Sequence, residues 1–358
     1  MINDLRLQNF RSYKDETFEF GNGVNIIVGP NASGKTNLLE AILVTALGSS
    51  YRTKSIEELI GFTSEWSRLE AGTSEEHRII KLDAREYPAV KTIETTGKTY
   101  KRLPLAKTIP VVLFEPEHLR LLNGRPELRR DYLDDILNQT ISGYTKLRRD
   151  YRRALAQRNA LLKRGHSENN SQLFAWNIRL SELGGQIAQQ RFALVADLDA
   201  QAGPIYKKLA GTKNKISISY TYQWSADSYS SKMLKQLEQN THIDMERGFT
   251  SCGPHRDDMN ITIDGRPVQE TASRGETRTI LLALKIIELK LLEEVRGKKP
   301  LLLLDDVFSE LDGRRRRFLT KFLKPYQTFI TTTDADVVIQ HFMEECTIIP
   351  ISPKSVKN

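Results

Sequence analysis

Gly29-Pro30-Asn31-Ala32-Ser33-Gly34-Lys35-Thr36 is the stretch of this 358-residue sequence that decides its fold. It matches the phosphate-binding pattern Gly-x-x-x-x-Gly-Lys-Ser/Thr at every fixed position. The apolar run Val24–Val28 before it predicts a strand, and the apolar spacing after Asn37 predicts a helix. Backbone amides of such a loop surround phosphates, and the positive end of the following helix adds to the attraction. We therefore expect a nucleotide-binding loop that uses Gly29, Asn31, Ser33, Gly34, Lys35, Thr36 and Asn37.

A second candidate site lies near the other end of the chain, where four leucines, Leu301–Leu304, run into Asp305 and Asp306. Carboxylates at the end of a buried strand, beside a phosphate loop, can hold a metal ion and activate water. We expect Thr36 and Asp305 to bind Mg²⁺. Asp306 is expected to orient or deprotonate the attacking water, so that Lys35 and Asp306 are the predicted catalytic residues.

The third candidate is Ser273-Arg274-Gly275-Glu276, which precedes an apolar helical pattern. Ser273 and Glu276, three residues apart, form a capping-box pattern, and a helix cap by itself explains the sequence. A capped helix start beside a glycine is also an anion site, so Ser273 and Gly275 could hold a γ-phosphate. Both interpretations stay open at this point.

Hydrophobic periodicity predicts a divided α/β protein. Alternating strands precede residue 120, helical spacing recurs around 144–161 and 173–194, and α/β patterns return after Gly248. The polar connector 165–171 breaks the helical pattern, which predicts an antiparallel helical hairpin. The expected organisation is an N-terminal half at 1–120, a helical insert at 121–245 and a C-terminal half at 246–358.

Composition narrows the class of partner. The net charge is +8 and the pI about 9.3, which favours a polyanion such as nucleic acid. Segment 146–164 contains eight basic residues and one acidic residue, a net charge of +7. Helical spacing stacks the pairs Arg148/Arg152 and Arg149/Arg153 one turn apart, which predicts a DNA-binding ridge, with a solvated helix face as the alternative. The run 314–317 is basic too, but a helix would scatter its four side chains.

Several other sites and locations are disfavoured. The sequence contains two widely separated cysteines without CxxC spacing, which argues against a zinc site or a disulfide framework. No stretch approaches the ~20 apolar residues of a membrane span, and the first residues lack the pattern of an export signal. We expect a cytoplasmic protein with no membrane partner.

Together with Ser309-Glu310-Leu311-Asp312, the three candidate sites resemble the Walker A, signature, Walker B and D-loop motifs of ABC-type ATPases. The split order is similar to that of the structural-maintenance-of-chromosomes group. The resemblance implies an ABC-type P-loop ATPase head, α/β in class, divided by a helical insert with a short antiparallel coiled-coil hairpin. It also implies that ATP is the nucleotide.

Five further segments resemble the RecF family of bacterial recombination mediators: 7–13, 29–42, 114–119, 253–258 and 304–312. That resemblance implies a DNA repair, recombination and replication protein, connected with the SOS response, that dimerises on DNA with ATP and hydrolyses ATP slowly with stimulation by DNA. The implied DNA is double-stranded or a junction of single and double strands. The implied partners are a second copy of the chain and RecR, with RecO, in loading RecA at single-strand gaps.

The resemblance also assigns roles to residues. Ser273 and Gly275 of one copy should meet the γ-phosphate held by Lys35 of the other, and Asp312 should lie at the nucleotide. Arg11 is implied to reach the nucleotide, although an exposed loop arginine is an equal alternative. Glu276 stands where the commoner signature has glutamine, and the strand 328–333 ends in threonines where transporter ATPases place a histidine.

Three rival functions remain. A P-loop kinase shares the loop 29–36 but does not need the signature or the D-loop. A transporter ATPase subunit would pair with a membrane protein and normally has the missing histidine. A non-hydrolysing module would use ATP only to hold a dimer together, against which the intact Asp305 and Asp306 argue.

Overall fold

The computed structural model describes residues 1–85, 87–164, 170–221, 224–334, 338–340, 342 and 346–352. It divides into two compact units. The first contains Met1–His118 and Glu288–Asn358, and the second contains Leu119–Ile287. In the part of the chain described, no helix is long and apolar enough to cross a membrane.

The first unit contains an antiparallel sheet of six strands in the order β2-β1-β4-β5-β6-β7. Alternating apolar residues on these strands face the core, as Leu5 and Leu7 do on β1. The strands are β1 (Ile2–Phe10), β2 (Tyr13–Glu19), β4 (Trp66–Thr73), β5 (His77–Asp83), β6 (Val90–Thr95) and β7 (Lys98–Tyr100). The alternating strands predicted before residue 120 are therefore confirmed for this sheet.

The same unit contains a parallel five-stranded sheet in the order β14-β3-β13-β12-β8. Its strands are β3 (Val24–Val28), β8 (Val111–Phe114), β12 (Leu301–Asp305), β13 (Thr328–Thr332) and β14 (Cys346–Pro350). Every residue of β12 is buried, as expected of a central parallel strand with both faces covered. Helices α1 (Lys35–Leu47), α10 (Val307–Glu310) and α11 (Gly313–Leu323) belong to this unit. The parallel order brings the carboxyl ends of β3, β12 and β13 to one edge.

The second unit is mainly helical. Its helices are α2 (Arg120–Asn123), α3 (Pro126–Thr140), α4 (Tyr144–Arg164), α5 (Asn170–Ala210), α6 (Tyr229–Gln239), α7 (Thr241–Arg247) and α8 (Val268–Thr271). A small sheet of β9 (Ile216–Thr221), β10 (Asp258–Ile263) and β11 (Arg266–Pro267) completes it. Helix α9 (Arg274–Arg296) begins here and ends in the first unit.

Helices α4 and α5 form the predicted antiparallel hairpin. Leu161 clusters with Leu173 at one end, whereas Tyr151 and Ala154 cluster with Ile187 farther along α5. This pairing requires the two helices to run in opposite directions. Most of the polar connector 165–171 lies outside the described residues.

One expected boundary differs from the structure. The division after residue 118 lies close to the predicted 120/121, but the second unit continues to Ile287 rather than ending at 245. The reason is strand pairing, because β10 pairs antiparallel with β9 along six residues, from Asp258–Thr221 to Ile263–Ile216. Strand β10 therefore belongs to the insert, although its pattern resembles that of the C-terminal half.

Candidate nucleotide site

The phosphate-binding loop connects β3 to α1, as the sequence predicts. Its backbone is unusual at Ala32 and Gly34, which have φ of +62° and +111°. A Cβ on Gly34 would lie 3.0 Å from the Ser12 hydroxyl, and the Tyr13 hydroxyl donates to the Gly34 carbonyl at 3.0 Å. Glycine is needed here because the left-handed backbone and the close neighbours both penalise a side chain.

The polar groups of this loop fit a phosphate ligand. Lys35 is only 4% exposed, and its Nζ donates to the carbonyls of Gly29 at 2.9 Å and Pro30 at 3.0 Å. The buried Ser33 hydroxyl has no hydrogen-bond partner among the described residues. Buried polar groups normally find partners, so an unpaired hydroxyl beside a buried lysine is consistent with a polar ligand.

The structure brings Thr36 and Asp305 together across 269 residues of sequence. The Thr36 hydroxyl lies 3.1 Å and 3.0 Å from the two carboxylate oxygens of Asp305. Thr331, at the end of β13, also donates to Asp305 at 2.7 Å. No group of three or more His, Cys, Asp or Glu side chains suited to a metal occurs in the described segments. Two protein oxygens suffice for Mg²⁺, which usually keeps several waters and binds phosphate.

Asp306 lies directly after the buried strand β12 and just before α10. Its φ of +51° is left-handed, and its backbone N–H donates to the Thr331 hydroxyl at 2.9 Å. This conformation turns the chain sharply between Asp305 and the following helix. A left-handed backbone is uncommon in residues other than glycine. Where it occurs, it is often at a functional site.

A buried carboxylate that sequence reasoning missed, Glu40, lies on the helix that follows the phosphate-binding loop. Glu40 is fully buried on α1 and forms a bidentate ion pair with Arg11 at 2.9 Å for both contacts. Arg52 binds the same carboxylate at 3.1 Å, and the Ser50 hydroxyl donates to it at 2.6 Å. Arg11 is therefore not an exposed loop arginine; its role at the nucleotide remains a prediction. The signal for Glu40 was a lone charge inside the apolar run 38–43.

Arg52 and Ser12 also contact Asn37 in the first turn of α1. Asn37 donates to the Ser12 hydroxyl at 3.0 Å, and Arg52 donates to the Asn37 amide oxygen at 3.0 Å. Asn37 thus connects the start of α1 to Ser12, which precedes the phosphate-binding loop, and to Arg52, which follows the helix.

The signature segment, in the second unit, forms the predicted capping box. The Glu276 backbone N–H donates to the Ser273 hydroxyl at 3.2 Å, and the Ser273 N–H donates to the Glu276 carboxylate at 2.9 Å. Ser273 and Arg274 are exposed and Gly275 is half-buried. The helix-cap interpretation is confirmed, and the exposure of Ser273 leaves the anion-site interpretation as a prediction.

Asp312 is an N-cap as well. Its carboxylate accepts from the Arg315 backbone N–H at 2.9 Å and forms an ion pair with the Arg315 side chain. The Arg315 amide lowers the pKa of Asp312. Arg316 donates to the Phe308 carbonyl at 3.2 Å. Two arginines of the basic run 314–317 therefore bind groups close to them in sequence.

The expected ridge of four arginines on α4 is incomplete. Arg148 is 13% exposed and pairs with Asp134 at 2.8 Å and Asp131 at 3.2 Å, because α3 places two carboxylates opposite it. Arg158, counted in the same basic run, is fully buried and pairs with Asp244 at 2.8 Å. The exposed cations of the segment are Lys146, Arg149, Arg152, Arg153, Lys163 and Arg164.

Comparison with known proteins agrees with this geometry. The family model described as the RecF/RecN/SMC N terminal domain matches residues 1–353. The DNA replication and repair protein RecF of Staphylococcus aureus (strain JH9) is 32% identical over an alignment of 362 positions that covers 98% of each chain.

Solved structures give the same result. The recombination mediator protein RecF-ATPrS in the RecFOR pathway is 30% identical, covers 99% of this chain and 98% of its own, and has a TM-score of 0.87. RecF-ATP in the same pathway is 30% identical, with 93% and 92% coverage and a TM-score of 0.83. The SmcHead bound to the C-winged helix domain of ScpA, at 16% identity, 95% and 91% coverage and a TM-score of 0.54, shares the fold.

The extent of these matches removes the basis for a kinase or a transporter subunit. With the phosphate loop, the paired Thr36 and Asp305 and a helical insert in one chain, we conclude that the protein belongs to the RecF family of DNA replication and repair proteins, with the split ABC-type ATPase head of the RecF/RecN/SMC group.

Proposed function

We propose that the chain is a DNA-dependent ATPase of recombinational repair. In this proposal it binds ATP and Mg²⁺, dimerises on double-stranded DNA or at junctions with single strands, and hydrolyses ATP slowly. It then acts with RecR and RecO in loading RecA at single-strand gaps. The relatives named above, described as RecF-ATP in the RecFOR pathway, support the nucleotide and the partners.

The observation that carries the ATPase proposal is the contact between Thr36 and Asp305. A hydroxyl at the start of α1 and a carboxylate at the end of β12 are the two ligands that a nucleotide-bound Mg²⁺ needs from such a protein. When bound, Mg²⁺ would neutralise charge that develops on the phosphates during transfer. Lys35 would leave its loop carbonyls for the outer phosphates, and Asp306 would hold and orient the attacking water.

Dimerisation is proposed to depend on Ser273 and Gly275. The Ser273 hydroxyl is exposed and already oriented by Glu276, and the start of a helix of 23 residues carries partial positive charge. A γ-phosphate held by the loop of one copy could therefore be completed by the signature of the other. Asp312, exposed at the start of α11, is proposed to lie in the same interface.

DNA is proposed to contact the exposed cations of α4. Arg149, Arg152 and Arg153 remain candidates from the predicted ridge, whereas Arg148 is neutralised by Asp131 and Asp134. Exposed positive charge on one helix favours association with phosphates because bound counterions are released.

One titration tests the proposed function. Oligomeric state and affinity for a duplex are measured by sedimentation and fluorescence anisotropy with ATP, ADP and no nucleotide. The proposal expects an ATP-specific dimer that binds DNA more tightly than the monomer. A dimer that is identical in all three conditions would contradict it, and ATP-dependent dimerisation without phosphate release would favour the non-hydrolysing module.

A further inference from the structure

A cavity of about 420 Å³ lies within the second unit, beside the loop Gly253–Asp258. This loop belongs to the segments that resemble the RecF family, yet the nucleotide site makes no use of it. Five arginines line the cavity: Arg130, Arg148, Arg152, Arg191 and Arg256. The question is what this cavity, with its concentration of cations, can bind.

The first half of the loop is held inward by the helices around it. Gly253 has a φ of +123°, and a Cβ there would lie 2.7 Å from the Met233 methyl group. The Pro254 carbonyl accepts from Arg191 at 2.6 Å. His255 contacts the Tyr151 hydroxyl through Nδ1 at 2.7 Å and the Thr250 carbonyl through Nε2 at 3.2 Å.

These contacts make His255 a neutral structural residue. A carbonyl only accepts, so Nε2 carries the proton and Tyr151 donates to Nδ1. Burial lowers the pKa of His255 to about 4. The imidazole therefore adds no charge to the cavity at neutral pH.

The second half of the loop is anchored as well. Asp257 is buried and accepts from the hydroxyls of Tyr229 at 2.5 Å and Tyr220 at 3.2 Å. Asp258 forms a bidentate ion pair with Arg129 at 2.7 Å and 2.8 Å.

Arg256 is the exception, because it is exposed at the mouth of the cavity. Its guanidinium lies 4.9 Å from the ring centroid of Phe249, a contact that orients the group without neutralising it. Five of the six residues of the loop Gly253–Asp258 are thus held by their neighbours, and the sixth, Arg256, presents an oriented positive charge.

The charged residues that line the cavity leave an excess of positive charge at its mouth. Asp134 accepts from both Arg148 and Arg191, and Glu127 pairs with Arg130. Asp131, the third acidic residue of the lining, pairs with Arg148. Arg152 and Arg256 form no ion pair with any residue that the structure describes, and both are exposed. The cavity therefore has a net charge of +2, which comes from its mouth.

We propose that this cavity is a phosphate subsite for the DNA backbone, in which Arg152 and Arg256 hold one phosphodiester group between them. The inference deepens the proposed function and rests on it. Leu155, Ile187 and Pro254 give the cavity an apolar floor, which suits a deoxyribose better than a second charge. Further exposed cations along α4 favour an extended polyanion over a short acidic peptide.

Lys232 and Lys235 provide a matched control. Both are exposed cations of the second unit, on α6, and neither lines the cavity. The double variants Arg152→Ala/Arg256→Ala and Lys232→Ala/Lys235→Ala each remove two positive charges. Any difference between them therefore reports position rather than net charge.

The experiment measures affinity for a labelled duplex by anisotropy, with ATP, at several salt concentrations. For the cavity variant we expect at least a tenfold loss, since two charge-assisted contacts to a phosphate are removed, and a log–log salt slope that is smaller by about 1.8. For the control we expect a loss of no more than about threefold, through the general field. ATP affinity and melting temperature are measured for both variants and should match the wild type.

Equal losses in the two variants would overturn the subsite and leave DNA binding intact as a diffuse electrostatic effect. Unchanged DNA binding by the cavity variant would overturn it too, and would leave an acidic protein segment as the occupant to test. A wild-type protein that binds no duplex in any nucleotide state would overturn the proposed function itself, which is a different result.

Discussion

At the scale of single residues, the nucleotide site consists of groups whose neighbours define distinct tasks. Lys35 is buried against loop carbonyls, Thr36 contacts Asp305, and Asp306 begins the next helix with a left-handed backbone. Glu40 forms ion pairs with Arg11 and Arg52 and so orients both guanidinium groups. Substitutions at these positions should therefore have separable effects on binding and on chemistry.

Lys35→Ala and Asp306→Asn separate the two steps. Lys35→Ala should abolish ATP binding, because it removes the cation expected at the outer phosphates. Asp306→Asn should bind ATP normally and lower the hydrolysis rate by about two orders of magnitude or more. Asparagine tolerates the left-handed backbone, so the turn should be preserved. Calorimetry and phosphate release measure both effects, and equal loss of binding in the two variants would show that Asp306 is misassigned.

Asp257 should give the second unit a specific pH dependence. Burial raises the pKa of Asp257 to about 6, so the native state binds more protons than the unfolded state between pH 4 and 6. The stabilising contribution is thus complete below the unfolded pKa and is lost as the pH rises through about 6.

Comparing wild type with Asp257→Asn isolates this contribution. We expect the advantage of the wild type in free energy of unfolding to shrink by up to about 3 kcal/mol from pH 4 to pH 6.5. The opposite trend of His255, whose pKa is lowered to about 4, is present in both proteins and cancels. Urea unfolding at the two pH values measures the difference, and an advantage independent of pH would contradict the assignment.

At the scale of elements, helix ends and helix faces carry the functional groups. Helix α9 begins with the exposed capping box, and α11 begins with Asp312 as its N-cap. Helix α4 presents different faces, so that Arg148 and Arg152 line the cavity while Arg149 and Arg153 do not. One basic run in sequence thus becomes several environments in space.

The capping box allows the two roles of Ser273 to be separated. Glu276→Ala removes the box and should destabilise the helix start by roughly 1 kcal/mol, while dimerisation with ATP survives. Ser273→Arg should leave ATP binding by the monomer nearly intact and prevent the dimer, because a bulky cation would block the partner's γ-phosphate. Sedimentation with ATP compares the two, and a dimer of the Ser273→Arg protein would reduce Ser273 to a helix cap.

At the scale of the whole molecule, the proposal requires two copies to share each nucleotide. Every copy would supply one phosphate loop and one signature, in different units of the same chain. Defects in the two elements should therefore complement each other when two proteins are mixed.

Mixing Lys35→Ala with Ser273→Arg tests this sharing. Neither variant alone should dimerise with ATP, but a mixed dimer has one complete site, from the intact loop of the second protein and the intact signature of the first. We expect ATP-dependent association of differently labelled chains, measured by fluorescence energy transfer. Absence of transfer in the mixture, with both variants folded, would argue against sites shared between copies.

Much of the architecture was predictable from local pattern. The alternation in β1 and the leucines of β12 report which faces are buried, and the loop 29–36 specifies a phosphate site by its own backbone requirements. The missed elements include α3, α6, α7 and β9, whose patterns are short or mixed with charge. The second boundary was missed because strand pairing is not visible in periodicity.

The sequence by itself therefore determined the chemistry of the phosphate loop, the capped start of α9 and the division of the ATPase head by helices. Only the tertiary structure decided which charges remain available. It placed Asp305 on Thr36, neutralised Arg148 with Asp134 and buried Arg158 against Asp244. The physical reason is that periodicity identifies a buried face but not the group opposite it. Whether a charged side chain can bind a ligand or is paired within the folded protein depends on that distant partner.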